Sequence, residues 1–316
     1  MNSVAVFHKG EEMKSYITGK VLMIRPVHFA YNEETAVNNY YQKKDLKSPK
    51  EIQEEALKEF DTMVEVLRKN KVEVKVLEDR LQPYTPDSIF PNNWFSSHEN
   101  GTVVLYPMFA ENRRLERREE IYELLDENQV NILDYSKLEE EEVYLEGTGS
   151  LVLDRKNRKV YCSLSQRADE RLLDIFCQDL AYEKIAFHSY QTVQGKRKEI
   201  YHTNVMMSVG EKFALLCAEA IDKREERERV IASLEEDGKE IIFITEEQVE
   251  HFLGNALEIR NAEGVHLCVM SLSAYQILTE EQKQILEKYV VIVPVRVSTI
   301  EKYGGGSARC MLAELY

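Results

Sequence analysis

Residues 304–316 read GGGSARCMLAELY: a glycine run, one cysteine at position 310, and a short apolar segment, RCMLAEL. That segment is strand-like, and the other end of the sequence lacks a strand of this kind. Near the start, VLMIRPVHF (21–29) reads as a strand and VEVKVLE (72–78) as a second one, with a helix between them. Ser48-Pro49-Lys50-Glu51 begins the helix with a capping serine, a proline at the first helical position and a returning carboxylate. An opening strand is missing from this group, and the terminal RCMLAEL supplies one.

From residue 87 onward every round is complete, in the order strand, strand, helix, strand. The first full round is DSIFPNNWFSSH (87–98), TVVLYPM (102–108), an amphipathic helix in ENRRLERREEIYELLDEN (111–128) and VNILDYS (130–136). GSLVLDR, KVYCSLS, ADERLLDIFCQDLA and KIAFHSY follow, then HTNVMMSVG, KFALLCAEA, DKREERERVIASLEEDG and EIIFITEE. NALEIRNAEG, VHLCVMSLS, a helix from Thr279 to Lys288 and YVVIVPVRV complete the last round. This order predicts an α/β fold of five ββαβ units in a ring, a five-bladed α/β propeller closed by joining the two ends. A generic α/β sandwich is the alternative. SKLEEEEVY (136–144) reads as a solvated loop before a strand. No linker stands out, so residues 1–316 are read as one domain.

The bulk numbers exclude several classes. A formal net charge of −15 disfavours nucleic acid and acidic membranes, which want a basic face. No apolar run approaches the ~20 residues of a membrane span. The stretch MNSVAVFHKGEEMKSY lacks the basic start and apolar core of a signal peptide. Five cysteines at irregular spacing, with no CxxC, argue against a disulfide framework or a zinc ribbon and fit a reducing cytoplasm.

Three short blocks carry the chemistry: GGGSARC ending at Cys310, LEGTGS around Glu146 and YHTNV around His202. A thiol, an imidazole and a carboxylate are the nucleophile, general acid/base and orienting group of cysteine hydrolases and transferases. Each lies near the opening of a first strand, and a ring brings such openings together. The other four cysteines lie in apolar contexts and read as core.

RCM after glycines, EG before a small residue, HxN and DSIFPNNWF together resemble the guanidine-modifying enzymes of the pentein fold. The resemblance runs from MIRP at 23–26 to the end. Arginine deiminases, dimethylargininases and citrulline-utilisation hydrolases are its nearest members. It implies a catalytic Cys310 and His202 and an orienting Glu146. It implies a grip on the guanidino group by Asp87, Asn92 and Asn93, and carboxylate-binding turns at Arg113 or Arg114 and at Arg167. Arginine-hydrolysing members usually carry an aspartate where this protein has Asn93, and often another at Asn204. An amide both donates to and accepts from a neutral ureido group, whereas a buried carboxylate opposite that group is left uncompensated.

The sequence therefore predicts a cofactor-free and metal-free cytoplasmic cysteine hydrolase of a small amino acid, breaking a C–N bond in the substrate's side chain through a covalent thio-adduct. Citrulline is the favoured substrate, giving ornithine, carbon dioxide and ammonia. Arginine deiminase or dimethylargininase chemistry is the alternative, with an amidinotransferase and a non-catalytic binding module behind it.

Overall fold

The computed structural model describes residues 16–124 and 131–316. The leader reading at residues 1–15 and the end of the expected helix at 125–130 lie outside the described residues. The described residues form five three-stranded sheets and one hairpin.

Each sheet has the same construction: an antiparallel pair, then a third strand parallel to the middle one. β1 (Lys20–Arg25) lies between β17 (Ala313–Leu315), antiparallel, and β2 (Glu73–Glu78), parallel. The terminal segment is thus the missing opening strand of the first unit. The next sheet is β3 (Phe95–Ser97), β4 (Thr102–Leu105) and β5 (Asn131–Asp134). The third is β6 (Val152–Asp154), β7 (Lys159–Ser163) and β8 (Glu183–Phe187). A hairpin that the sequence reading missed follows, β9 (Tyr190–Val193) with β10 (Lys196–Glu199). β11 (Met207–Val209), β12 (Phe213–Leu216) and β13 (Glu240–Phe243) form the fourth sheet. β14 (Leu257–Arg260), β15 (His266–Ser271) and β16 (Val291–Val295) form the fifth. Parallel pairing demands a crossover, and helices supply most of them. Opening strands meet between consecutive sheets: β17 lies against β3, β6 against β11, and β11 against β14.

The helix Pro49–Lys69 begins at Ser48 with both capping-box bonds in place and buries Ile52, Ala56, Phe60, Met63, Val64 and Leu67 along one stripe. Within the expected helix, the described residues 111–124 depart from expectation. They form a short helix at Glu111–Arg114 and a 3-10 segment at Glu119–Leu124, with Leu115 half exposed. Their arginines take the apolar face's place. Arg113 is buried against Glu116, Arg114 reaches Met108 O and Arg117 reaches Glu139, so the backbone follows these bonds and no single apolar stripe. SKLEEEEVY is likewise not a plain loop; Ser136–Glu141 is a 3-10 segment.

DSIFPNNWF is not a single strand. Pro91–Asn93 makes a 3-10 turn and the strand begins at Phe95. The same device recurs before other opening strands: Gly147–Ser150 before β6, Thr203–Val205 before β11, and Ala308–Met311 before β17. These turns carry the candidate residues.

Candidate active site

Asp87, Asn93, Arg113, Arg167, His202 and Cys310 line one small buried cavity. Glu146 sits just behind it, fully buried, as the residue before the Gly147–Ser150 turn. Its Oε2 meets His202 Nε2 at 2.7 Å and Arg167 Nη1 at 3.4 Å, and its Oε1 accepts from Phe109 N. Burial alone raises a carboxyl's pKa. The Arg167 charge and the His202 bond outweigh that and hold Glu146 well below the usual carboxylate range.

The same burial acts on His202 and pushes it down to about 4, against the pull of Glu146. His202 is therefore neutral near pH 7. Facing a carboxylate, Nε2 must carry the proton. Nδ1 is then an unprotonated base on the other side of the ring, toward Gly149. A Cβ added at Gly149 would strike Asn93 Nδ2 and stand 2.7 Å from His202 Nδ1, so the absence of a side chain is what lets both groups approach.

Arg113 is held on several sides. It donates Nε and Nη2 to Glu116, Nη1 to Asn93 Oδ1 at 2.8 Å, and Nη2 also to Phe90 O. Arg113, expected at a carboxylate-binding turn, lines the cavity with most of its donors directed to protein groups. It sets the flip of the Asn93 amide: an arginine only donates, so Oδ1 faces it and Nδ2, which has no partner, is the end left over. Asp87 is also buried. Its Oδ2 accepts from Asn32 Nδ2 at 2.7 Å and Thr35 Oγ1 at 3.0 Å, and its Oδ1 is unpartnered. Burial raises the Asp87 pKa, opposed by the Arg113 charge and these two bonds.

Arg167 lines the cavity, with Nε on Asn38 Oδ1 at 2.9 Å and Nη2 on Thr35 O at 2.9 Å, its guanidinium over the Tyr201 ring. Three expected substrate-binding residues do not line the cavity. Arg114 does not line the cavity; it is held by Met108 O, Phe109 O and Tyr144. Asn92 ties the 91–93 turn to Thr148. Asn204 touches Cys310 and does not line the cavity: its Nδ2 donates to Thr148 O at 3.3 Å and toward Cys310 Sγ at 3.6 Å.

Cys310 stands in the Ala308–Met311 turn, beside glycines that admit it to the cavity. Gly305 has φ +63°, and a Cβ there would strike Asn39. The segment between β1 and Pro49 lies over this side. Besides Asn32 and Thr35, Asn39 Nδ2 donates to Gly304 O at 3.2 Å. Nothing in the sequence pattern signals this strap, because its asparagines and threonine belong to no motif.

Residues 25–316 match the family model described as N,N dimethylarginine dimethylhydrolase, eukaryotic. Among solved structures, the N-terminal domain of ArgZ with its substrate, an arginine dihydrolase from the ornithine–ammonia cycle in cyanobacteria, is 17% identical with a TM-score of 0.70. That match covers 93% of this protein and 97% of that one. Unliganded AgrE is 17% identical at a TM-score of 0.71 over 94% of this protein, which spans 39% of AgrE. A dimethylarginine dimethylaminohydrolase adduct with S-methyl-L-thiocitrulline is 13% identical at 0.61, covering 95% and 100%. No curated protein matches the sequence.

Proposed function

The protein belongs to the N,N-dimethylarginine dimethylhydrolase family, within the guanidino-modifying enzymes of the pentein superfamily, and from that premise we propose a hydrolase of free L-arginine that carries the reaction through citrulline to ornithine. Arginine and water give citrulline and ammonia. Citrulline and water give ornithine, carbon dioxide and ammonia. Arginine as first substrate replaces the citrulline-first expectation, and the cyanobacterial arginine dihydrolases of like fold support the change.

One observation carries the reading. Two unpartnered buried groups of opposite character belong to residues lining one cavity: the Asp87 Oδ1 carboxylate oxygen and the Asn93 Nδ2 amide. The carboxylate suits a guanidinium. The amide N–H suits the oxygen of a ureido group, or the oxygen that develops as water attacks the thio-adduct. An aspartate at 93 would serve only the first.

Cys310 Sγ attacks the guanidino carbon. His202 Nδ1 takes the thiol proton and passes it to the departing nitrogen, which leaves as ammonia. Glu146 stabilises the imidazolium formed in between. Water, deprotonated by the same imidazole, resolves the covalent adduct. With citrulline bound, a second round expels the terminal ureido nitrogen as ammonia; water resolves the thiocarbamate left on Cys310 to a side-chain carbamate, and loss of carbon dioxide from that carbamate frees ornithine. Around this site we read the five units as one ring, closed by β17 on β1, in one cytoplasmic domain. Among the described residues no helix is long and apolar enough to cross a membrane.

The test measures kcat/KM on arginine, dimethylarginine and citrulline, with ornithine as the readout. Asn93→Asp is expected to consume arginine and accumulate citrulline, with ornithine formation reduced at least tenfold. Dimethylarginine consumed a hundredfold better than arginine, or ornithine undiminished in the variant, overturns the reading.

A further inference from the structure

Four of the five opening strands are preceded by a turn that brings a candidate residue to the site: Asn93, Glu146, His202 and Cys310. The fifth, β14, begins at Leu257, and the buried polar residue two positions ahead of it is Asn255. It lies at the corresponding place in its unit, and no expectation had included it.

Asn255 is 1% exposed. Its Oδ1 accepts from Arg309 N at 3.1 Å, and a backbone N–H can only donate, so the carbonyl end of the amide is fixed there. Its Nδ2 is left with two hydrogens and two acceptors, Asn204 O at 3.1 Å and Cys310 Sγ at 3.2 Å. The Asn204 amide repeats the pattern, with one hydrogen toward Thr148 O at 3.3 Å and the other toward Sγ at 3.6 Å. Each amide spends one N–H on a backbone carbonyl and turns the other to sulfur. His202 Nε2, by contrast, is taken up by Glu146.

We infer that Asn255 is a catalytic residue: with Asn204 it forms a neutral amide cradle that stabilises negative charge on Cys310 Sγ, Asn255 being the stronger donor. The inference rests on the reading of Cys310 as nucleophile. Neutral donors fit this chemistry. A lysine or arginine at the sulfur would stabilise the thiolate too, but would set a fixed positive charge against an incoming guanidinium. An amide dipole lowers the energy of the anion and leaves the space attractive to a cation. The thiol form has acceptors too, Asn255 Oδ1 at 3.6 Å and Asn204 Oδ1 at 4.0 Å, but the shortest contact to sulfur is the Asn255 N–H at 3.2 Å. The cradle is thus closer to the charged sulfur's needs than to the neutral one's.

Alkylation of Cys310 by iodoacetamide, read by mass spectrometry of its peptide across pH, needs no substrate and tests the cradle apart from the proposed reaction. Asn255→Asp removes the donor and sets a carboxylate beside the sulfur. Its alkylation midpoint is expected to move up by about one pH unit, with the rate at pH 7 falling roughly tenfold. Asn255→Ser, smaller and uncharged, is expected to move it in the same direction by less, and decides the matter if the aspartate variant does not fold. Turnover is expected to fall in kcat with KM within about twofold, because Asn255 does not line the substrate cavity. A folded variant that alkylates with the parent's pH profile overturns the proposal. A parent that alkylates normally but hydrolyses none of the test amino acids overturns the proposed function and leaves the cradle standing.

Discussion

His202 is neutral at rest because burial outweighs its carboxylate partner, and this has a thermodynamic consequence. Folded, it binds a proton only below about 4; in the unfolded state it does so below 6.5. Between those values the unfolded state holds the extra proton, so falling pH favours unfolding. The contribution is whole above pH 6.5 and is lost as pH falls through about 4. Between pH 6.5 and 5 it amounts to about 2 kcal/mol. Denaturant titrations of the parent and His202→Gln at both pH values check this: the variant's loss of stability on acidification is expected to be smaller by that amount. Equal losses would mean the imidazole takes up its proton over the same pH range folded and unfolded. Cys310, His202 and Glu146 were legible because each stands in a short block whose neighbours are small or polar. Asn255 was not, since NALEIR reads as an ordinary strand start. Between Arg113 and Arg114 the sequence left the choice open, because residue type does not say which side chain reaches the cavity; Arg113 lines it and Arg114 does not.

At the scale of the element, the working part is the single helical turn ahead of an opening strand. Such a turn is too short to show periodicity, which is why DSIFPNNWF read as continuous strand. Longer elements were readable: the Ser48 capping box and the stripe from Ile52 to Leu67 announce their helix, and short continuous apolar runs announce the inner strands, which are buried at successive positions. The 111–124 stretch failed because its arginines bury themselves on carboxylates, which an apolar count does not register. The turn geometry makes a specific demand at Gly149. Its φ is unexceptional, so alanine is tolerated by the backbone, yet the new methyl collides with Asn93 and His202. Gly149→Ala is expected to fold with a melting temperature within a few degrees of the parent and to lose at least a hundredfold in kcat, since misplacing a reacting group by ~1 Å costs that much. Undiminished turnover would show that the two side chains move aside without consequence.

For the whole molecule, the pairing of β17 with β1 joins the two ends of the sequence and sets Cys310 in place. Repetition of strand order foretold this pairing even without sequence identity between units. Removing residues 313–316 takes away β17 and the buried Ala313 and Leu315. The shortened protein is expected to melt in a lower, broader transition and to lose Cys310-dependent turnover; a parent-like melt would make the terminal strand dispensable. The strap between β1 and Pro49, in turn, holds groups that the proposed substrate wants. Asn32 and Thr35 occupy Asp87 Oδ2, and Thr35 O and Asn38 occupy Arg167. The cavity beneath has room for about one water. On the proposed reading, a ligand the size of arginine enters only with the strap unfastened, and its apparent affinity is its intrinsic affinity scaled by the unfastened fraction. Asn32→Ala with Thr35→Val is expected to lower KM severalfold in steady-state assays, whereas a raised KM would make these side chains part of the arginine grip. On that reading half-saturation carries the cost of unlatching the strap in addition to the contacts a substrate makes once inside.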